Sequence, residues 1–230
     1  MDITNNQTEI MGVIRDEFAF NHEIYAEKFY TFTLEVSRLS GTYDKIRVMI
    51  SERLIIDGEY KIGDRVVVSG QFRSYNSTEA GANRLVLTVF AKDIMHCEGD
   101  VKNPNRLYLN GFICKQPVYR TTPFGREITD LLLAVNRSYN KSDYIPVIAW
   151  GRNARYAKSL NVGENVRIWG RIQSRDYQKR IGEDEVITKT AYEVSINRLE
   201  LVTEESSDED TGIGESMFDM PEVREEHEMV

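Results

Sequence analysis

The chain repeats its own pattern about 100 residues on, and that repeat constrains its fold more than any other feature. Ile-Met-Gly-Val-Ile at 10–14 returns as Leu-Asn-Gly-Phe-Ile at 109–113, and Thr-Leu-Glu-Val-Ser-Arg at 33–38 as Leu-Leu-Ala-Val-Asn-Arg at 132–137. Asp-Lys-Ile-Arg-Val at 44–48 returns as Asp-Tyr-Ile-Pro-Val at 143–147, and the run at 62–74 returns at 162–174. Gly12 and Gly111, Arg38 and Arg137, and Asp44 and Asp143 are 99 apart; Gly70 and Gly170, and Ser74 and Ser174, are 100 apart. Solenoid repeats are usually ~20–50 residues, so a period this long means two folded units. In 230 residues each unit is large enough to bury a core without a metal or disulfide staple.

Each copy reads as strands. Residues 127–137, 144–150 and 164–172 are rich in Ile, Val, Leu and aromatics. In 144–150 the side chains Ile145, Val147 and Ala149 share one face, and Tyr144, Pro146, Ile148 and Trp150 the other. Pro146 cannot donate to a ladder, which predicts an edge position or a bulge. Ala154, Ala157 and Leu160 fall at helical spacing, with Asn161 and Gly163 as stop signals, and 51–60 is a weaker equivalent. Three strands, a short helix and two strands, with a glycine inside the fourth strand, fit the five-stranded OB barrel. Gly70 and Gly170 stand where a barrel strand must bend sharply. The expected architecture is therefore all-β: two tandem five-stranded OB barrels at 1–96 and 106–202, a linker at 97–105, and a disordered acidic tail at 203–230.

The net charge of −8 is segregated along the chain. Residues 1–100 sum to −5, residues 101–203 to +7 and residues 204–230 to −10. A basic module between an acidic module and an acidic tail implies one site for a polyanion. The two cysteines, Cys97 and Cys114, have no CxxC spacing and read as reduced thiols. The start of the chain has no basic flank followed by an apolar run, and no stretch has the ~18 apolar residues of a membrane span. A cytoplasmic protein is expected. His22, His96 and His227 are scattered, and no metal spacing, nucleophile elbow or P-loop occurs, so neither a metal, a cofactor nor an enzymatic activity is expected. Glu183, Asp184 and Glu185 sit beside Gly182 in what reads as a solvated hairpin loop.

Sequence-tolerant binding of single-stranded nucleic acid needs cations along the phosphates and flat side chains under the bases. The second copy interleaves them. Arg137 and Tyr139 share a parity, Lys141 follows in the turn, and Tyr144 and Trp150 share a face of the next strand. Arg152, Arg155 and Lys158 decorate the helix; Arg171, Arg175, Tyr177, Lys179 and Arg180 run along the fourth strand into its loop. The expected contact set is Arg137, Tyr139, Lys141, Tyr144, Trp150, Arg152, Arg171, Arg175, Tyr177 and Lys179.

Five stretches of this copy carry a resemblance: 119–125, 133–139, 143–151 (Asp-Tyr-Ile-Pro-Val-Ile-Ala-Trp-Gly), 157–166 and 170–177 (Gly-Arg-Ile-Gln-Ser-Arg-Asp-Tyr). In wording and spacing 106–202 resembles the bacterial single-stranded DNA-binding protein family. The resemblance implies an OB fold that binds single-stranded DNA without strong sequence preference, with the family's stacking aromatics falling on Tyr139, Tyr144, Trp150 and Tyr177. It implies roles in replication, recombination and repair, a homodimer presenting four OB folds, and replication or repair partners docking on the acidic tail. The tail tip departs from the family's apolar end, being Glu228-Met229-Val230. The first copy departs further. Opposite Tyr139, Tyr144, Trp150 and Tyr177 it has Ser40, Lys45, Ser51 and Ser77, and it reads as an OB domain that has given up stacking. Its acidity keeps a second reading open: a protein–protein adaptor or primosomal accessory protein with vestigial DNA binding.

Overall fold

A computed structural model describes residues 5–77, 84–99, 103–180 and 186–203. The acidic tail beyond 203 and the loop of Glu183, Asp184 and Glu185 lie outside them. The first half comprises β1 (Asn6–Ile14), β2 (Ala19–Ile24), β3 (Glu27–Ser37), β4 (Tyr43–Ser51), α1 (Glu52–Gly58), β5 (Arg65–Ser77) and β6 (Arg84–His96). The second comprises β7 (Asn105–Ile113), β8 (Val118–Thr121), β9 (Glu127–Arg137), β10 (Lys141–Trp150), α2 (Gly151–Ala157), β11 (Asn165–Arg180) and β12 (Val186–Leu201).

Alternation builds both cores. In β4, Ile46, Val48 and Ile50 are fully buried while Lys45 and Arg47 are exposed; in β10, Ile145, Val147 and Ala149 are buried in the same way. The order β1–β3–β4–β6–β5–β1 closes the first barrel, and β7–β9–β10–β12–β11–β7 closes the second. The β4–β6 and β10–β12 contacts are parallel and two residues long; the other pairings are antiparallel. Five strands close each barrel, as the OB pattern requires. The sixth in each half, β2 or β8, is an arm that pairs only with β3 or β9. Its short polar runs give little sequence signal.

Gly70 and Gly170 do mark bends. Each follows a register shift, at Ser69/Gly70 against β6 and at Trp169/Gly170 against β12. A Cβ at Gly70 would stand 2.1 Å from the Phe90 carbonyl oxygen, and one at Gly170 2.4 Å from that of Ser195. Pro146 lies in a full antiparallel ladder with β9 and carries no bulge; on its other side β12 meets β10 only at Val147 and Ile148, so the proline sits where the strand is an edge. Helix α2 ends at Ala157, earlier than spacing predicts, and Leu160 reaches the core from the turn that follows.

The two barrels share one sheet. β1 pairs antiparallel with β7, from Asn6↔Leu109 to Ile10↔Asn105. Moving by the repeat of 99 residues exchanges those two pairs, so the seam is a pseudo-twofold axis within one chain. Side chains follow it. Asn6 brackets Phe72 with two hydrogen bonds of 2.8 and 2.9 Å, and its counterpart Asn105 brackets Ile172 with bonds of 2.7 and 2.9 Å. The seam removes two open strand edges that would otherwise invite aggregation.

Candidate nucleic-acid interface

The outward parity of β10 carries Tyr144, Pro146, Ile148 and Trp150, because the other parity fills the barrel. Tyr144 is 48% exposed, and Trp150, half-buried, lies opposite Ile128 of β9 as it caps α2. Tyr139 stands at the β9–β10 turn with φ 62°, next to Asn140 at 54°, and is 94% exposed. A left-handed aromatic costs free energy, and this one contacts solvent rather than core. On β11, Arg171, Arg175, Tyr177 and Lys179 share a parity opposite the buried Ile172. Tyr177 is 40% exposed and faces Lys189 of β12. The Lys179 side chain lies outside the described residues.

The cations divide into two groups. Lys141, Arg152 and Arg175 are exposed and have no carboxylate partner among the described residues. Arg137 and Arg171 are tied down. Arg137 Nε lies 3.4 Å from Oδ2 of Asp143, and Arg171 Nη1 lies 3.5 Å from Oδ2 of Asp44. Both aspartates are fully buried. On α2, Arg155 sits 3.5 Å from Glu127, and Lys158 lies 4.6 Å above the Tyr119 ring.

Those two aspartates join the halves, an arrangement invisible in the sequence. Ser74 of the first half donates its backbone N–H to Asp143 Oδ1 at 2.7 Å, and its hydroxyl accepts from the Tyr144 N–H at 2.7 Å. Ser174 of the second half donates its backbone N–H to Asp44 Oδ1 at 2.7 Å, and its hydroxyl accepts from the Lys45 N–H at 2.9 Å. Arg38 grips Asp44 through Nε at 2.8 Å and donates to the Ser174 carbonyl at 2.9 Å. Burial pushes the Asp143 carboxyl above the usual range, opposed by the Ser74 N–H and then by Arg137 and Arg73. Burial, followed by repulsion from Arg137, lowers the Arg73 guanidinium. Tyr144 is thus held in place by the other barrel. The recurrence of Asp44 as Asp143, 99 residues on, and of Ser74 as Ser174, 100 residues on, was the available signal, but it does not say that each aspartate meets the serine of the other half.

No group of three or more metal-binding side chains occurs among the described residues, and no described helix is long and apolar enough to cross a membrane. Residues 104–202 match the model of the single-strand binding protein family. The single-stranded DNA-binding protein of Clostridium tetani is 36% identical over 92 residues, which are 37% of this chain and 63% of that protein. Single-stranded DNA-binding protein 3 of Clostridium acetobutylicum is 31% identical over 96 residues, 39% of this chain and 67% of that protein. For the first of these relatives, the match spans less than two thirds of the protein's length. The crystal structure of the wild-type single-stranded DNA binding protein from Thermus aquaticus covers 86% of this chain, and 93% of its own, with a TM-score of 0.68 at 22% identity. That likeness extends the shared fold over both halves. The chain belongs to the bacterial single-strand binding protein family, in the form that carries two OB folds in tandem.

Proposed function

We propose that this protein coats single-stranded DNA without sequence preference during replication, recombination and repair, with residues 106–202 as the binding module and 1–96 as its companion barrel. What supports this reading is that Tyr144, Trp150 and Tyr177 lie on the outward parity of the second barrel's strands, while Lys141, Arg152 and Arg175 are exposed and have no carboxylate partner among the described residues. Rings stack on bases of any identity, and cations follow a backbone that is the same in every sequence. Binding and holding are the whole task; the family is a non-enzymatic one. In this reading the protein works in the bacterial cytoplasm at the nucleoid, pairs as a homodimer through its OB domains, and offers its acidic tail to replication or repair proteins. Fluorescence titration with oligo-dT at two salt concentrations tests it. Stacking quenches Trp150, and phosphate contact makes the affinity fall as salt rises. A protein–protein adaptor would show neither response.

A further inference from the structure

The arms β2 and β8 stand at opposite ends of the strand order, and among the described residues each pairs on one side only. The other side of each is a sheet edge, whose backbone N–H and carbonyl groups are a template for a further strand. Shifted by the repeat of 99 residues, the arm at 16–27 becomes the arm at 115–126, and the two have opposite charge. The first holds Asp16, Glu17, Glu23 and Glu27 with no Lys or Arg, a sum of −4. The second holds Lys115, Arg120 and Arg126 with no Asp or Glu, a sum of +3.

Part of this charge is engaged within the chain. Asp16 accepts from the Thr33 N–H, Glu27 lies 3.5 Å from Arg53, and Arg120 grips Asp130 at 2.7 Å. The rest is not. Glu17 and Glu23 on one arm, and Lys115 and Arg126 on the other, are exposed and have no oppositely charged partner among the described residues. The arms also offer apolar surface. Phe20 and Ile24 of β2 and Val118 of β8 are exposed. Tyr25 and Phe124, equivalent under the repeat, stand at the two hairpin tips and are 100% and 91% exposed. Tyr25 and Ala26 have φ of 49° and 62°, which makes the first tip a tight two-residue turn.

Matched charge decides which strand such an edge accepts. Two β2 arms would set acid against acid, and two β8 arms base against base, which is unfavourable across a strand pair. Unlike arms set −4 against +3. We propose that the β8 arm of one copy of this chain adds edge to edge onto the β2 arm of a second copy, with Lys115 and Arg126 facing the acids of the 16–27 arm. The contact is heterologous: a copy that uses its β8 arm keeps its β2 arm for another neighbour, so copies are joined in series. This contact stands apart from the reading of the DNA surface, and no nucleic acid enters its test.

Sedimentation equilibrium of the full chain over a range of concentrations compares low salt with ~1 M salt, where the screening length is about 3 Å. Wild-type mass is expected to rise with concentration at low salt and to lose that rise at high salt. Glu17→Lys/Glu23→Lys reverses the free charges of one arm, and Lys115→Glu/Arg126→Glu those of the other. Each variant alone, folded by circular dichroism, should lose the low-salt rise. An equimolar mixture of the two should regain it, because every arm then meets its opposite. A chain carrying all four substitutions exchanges the free charges of the two arms and should regain it as well. A wild-type mass that stays flat with concentration at low salt overturns the proposal, as does a rise retained in either folded variant. If only Lys115→Glu/Arg126→Glu loses the rise, the basic arm meets acids other than β2, those of the 204–230 tail included, and the proposal falls. Loss in both folded variants with no regain in the mixture or the fourfold variant also overturns it.

Discussion

At the scale of residues, two kinds of side chain matter to the proposed interface. Trp150 and Tyr177 offer rings to solvent, and one base–aromatic stack is worth ~1–3 kcal/mol. Trp150→Ala and Tyr177→Ala are each expected to weaken single-stranded DNA binding by about that amount in equilibrium titrations of folded protein. Wild-type affinity in both variants would contradict the assignment. Asp143 works instead through the seam. Its folded-state carboxyl is raised by burial, so the folded protein holds that proton more tightly than the unfolded chain does. This contribution favours folding fully below the ordinary carboxylate value of about 3.9, and is lost as pH rises through the raised value. Asp143→Asn removes the titration. The stability advantage of wild type over this variant should therefore be larger near pH ~4 than near pH ~7 in urea melts. An advantage that grows with pH would mean that the two arginines outweigh desolvation.

Among the elements, the β11–β12 hairpin bears most of the proposed site's length. Its sixteen-residue strands carry Arg171, Arg175 and Tyr177, and its bend depends on the bulge at Gly170. A methyl group at Gly170 would meet the Ser195 carbonyl oxygen, which belongs to backbone and cannot swing away. Gly170→Ala is expected to cost ~1–3 kcal/mol in denaturant melts, the usual range for overpacking, and to weaken DNA binding by tilting Tyr177. An unchanged midpoint would show that the bulge relaxes freely. Much of this was legible beforehand. The glycines recur at fixed spacing and the strands alternate with period two, which are local signals. The arms β2 and β8 were not legible, because they pair along one side only and bury little.

For the whole molecule, the seam makes one chain the equivalent of a dimer. The β7 edge pairs with β1 residue for residue under the pseudo-twofold, and Asn105 repeats what Asn6 does. A fragment of residues 103–203 would expose that edge with its partner gone. It is expected to self-associate through β7 in sedimentation equilibrium, since the exposed edge resembles the strand it has lost. A strictly monomeric folded fragment would show that the β1 side chains, rather than the edge itself, hold the seam. The acidic sum of the first half and the basic sum of the second fit the proposed division, in which the second half steers phosphate.

Sequence alone determined what depends on near neighbours: the two-unit organisation, the strand alternation, the bends at Gly70 and Gly170, and the basic, aromatic character of the second copy. Tertiary structure decided what depends on register across strands and across the seam. Arg137 and Arg171 read as free cations in one dimension, but folding brings each against a buried carboxylate, Arg137 in its own half and Arg171 across the seam. The loss of aromatics at Ser40, Lys45, Ser51 and Ser77 reads as loss of a surface, yet Phe29 stands beside Ser51 on the neighbouring strand. The physical reason is the same in both cases. A sheet places side chains together by hydrogen-bonded register between strands far apart in sequence, and a comparison along the chain does not see that register.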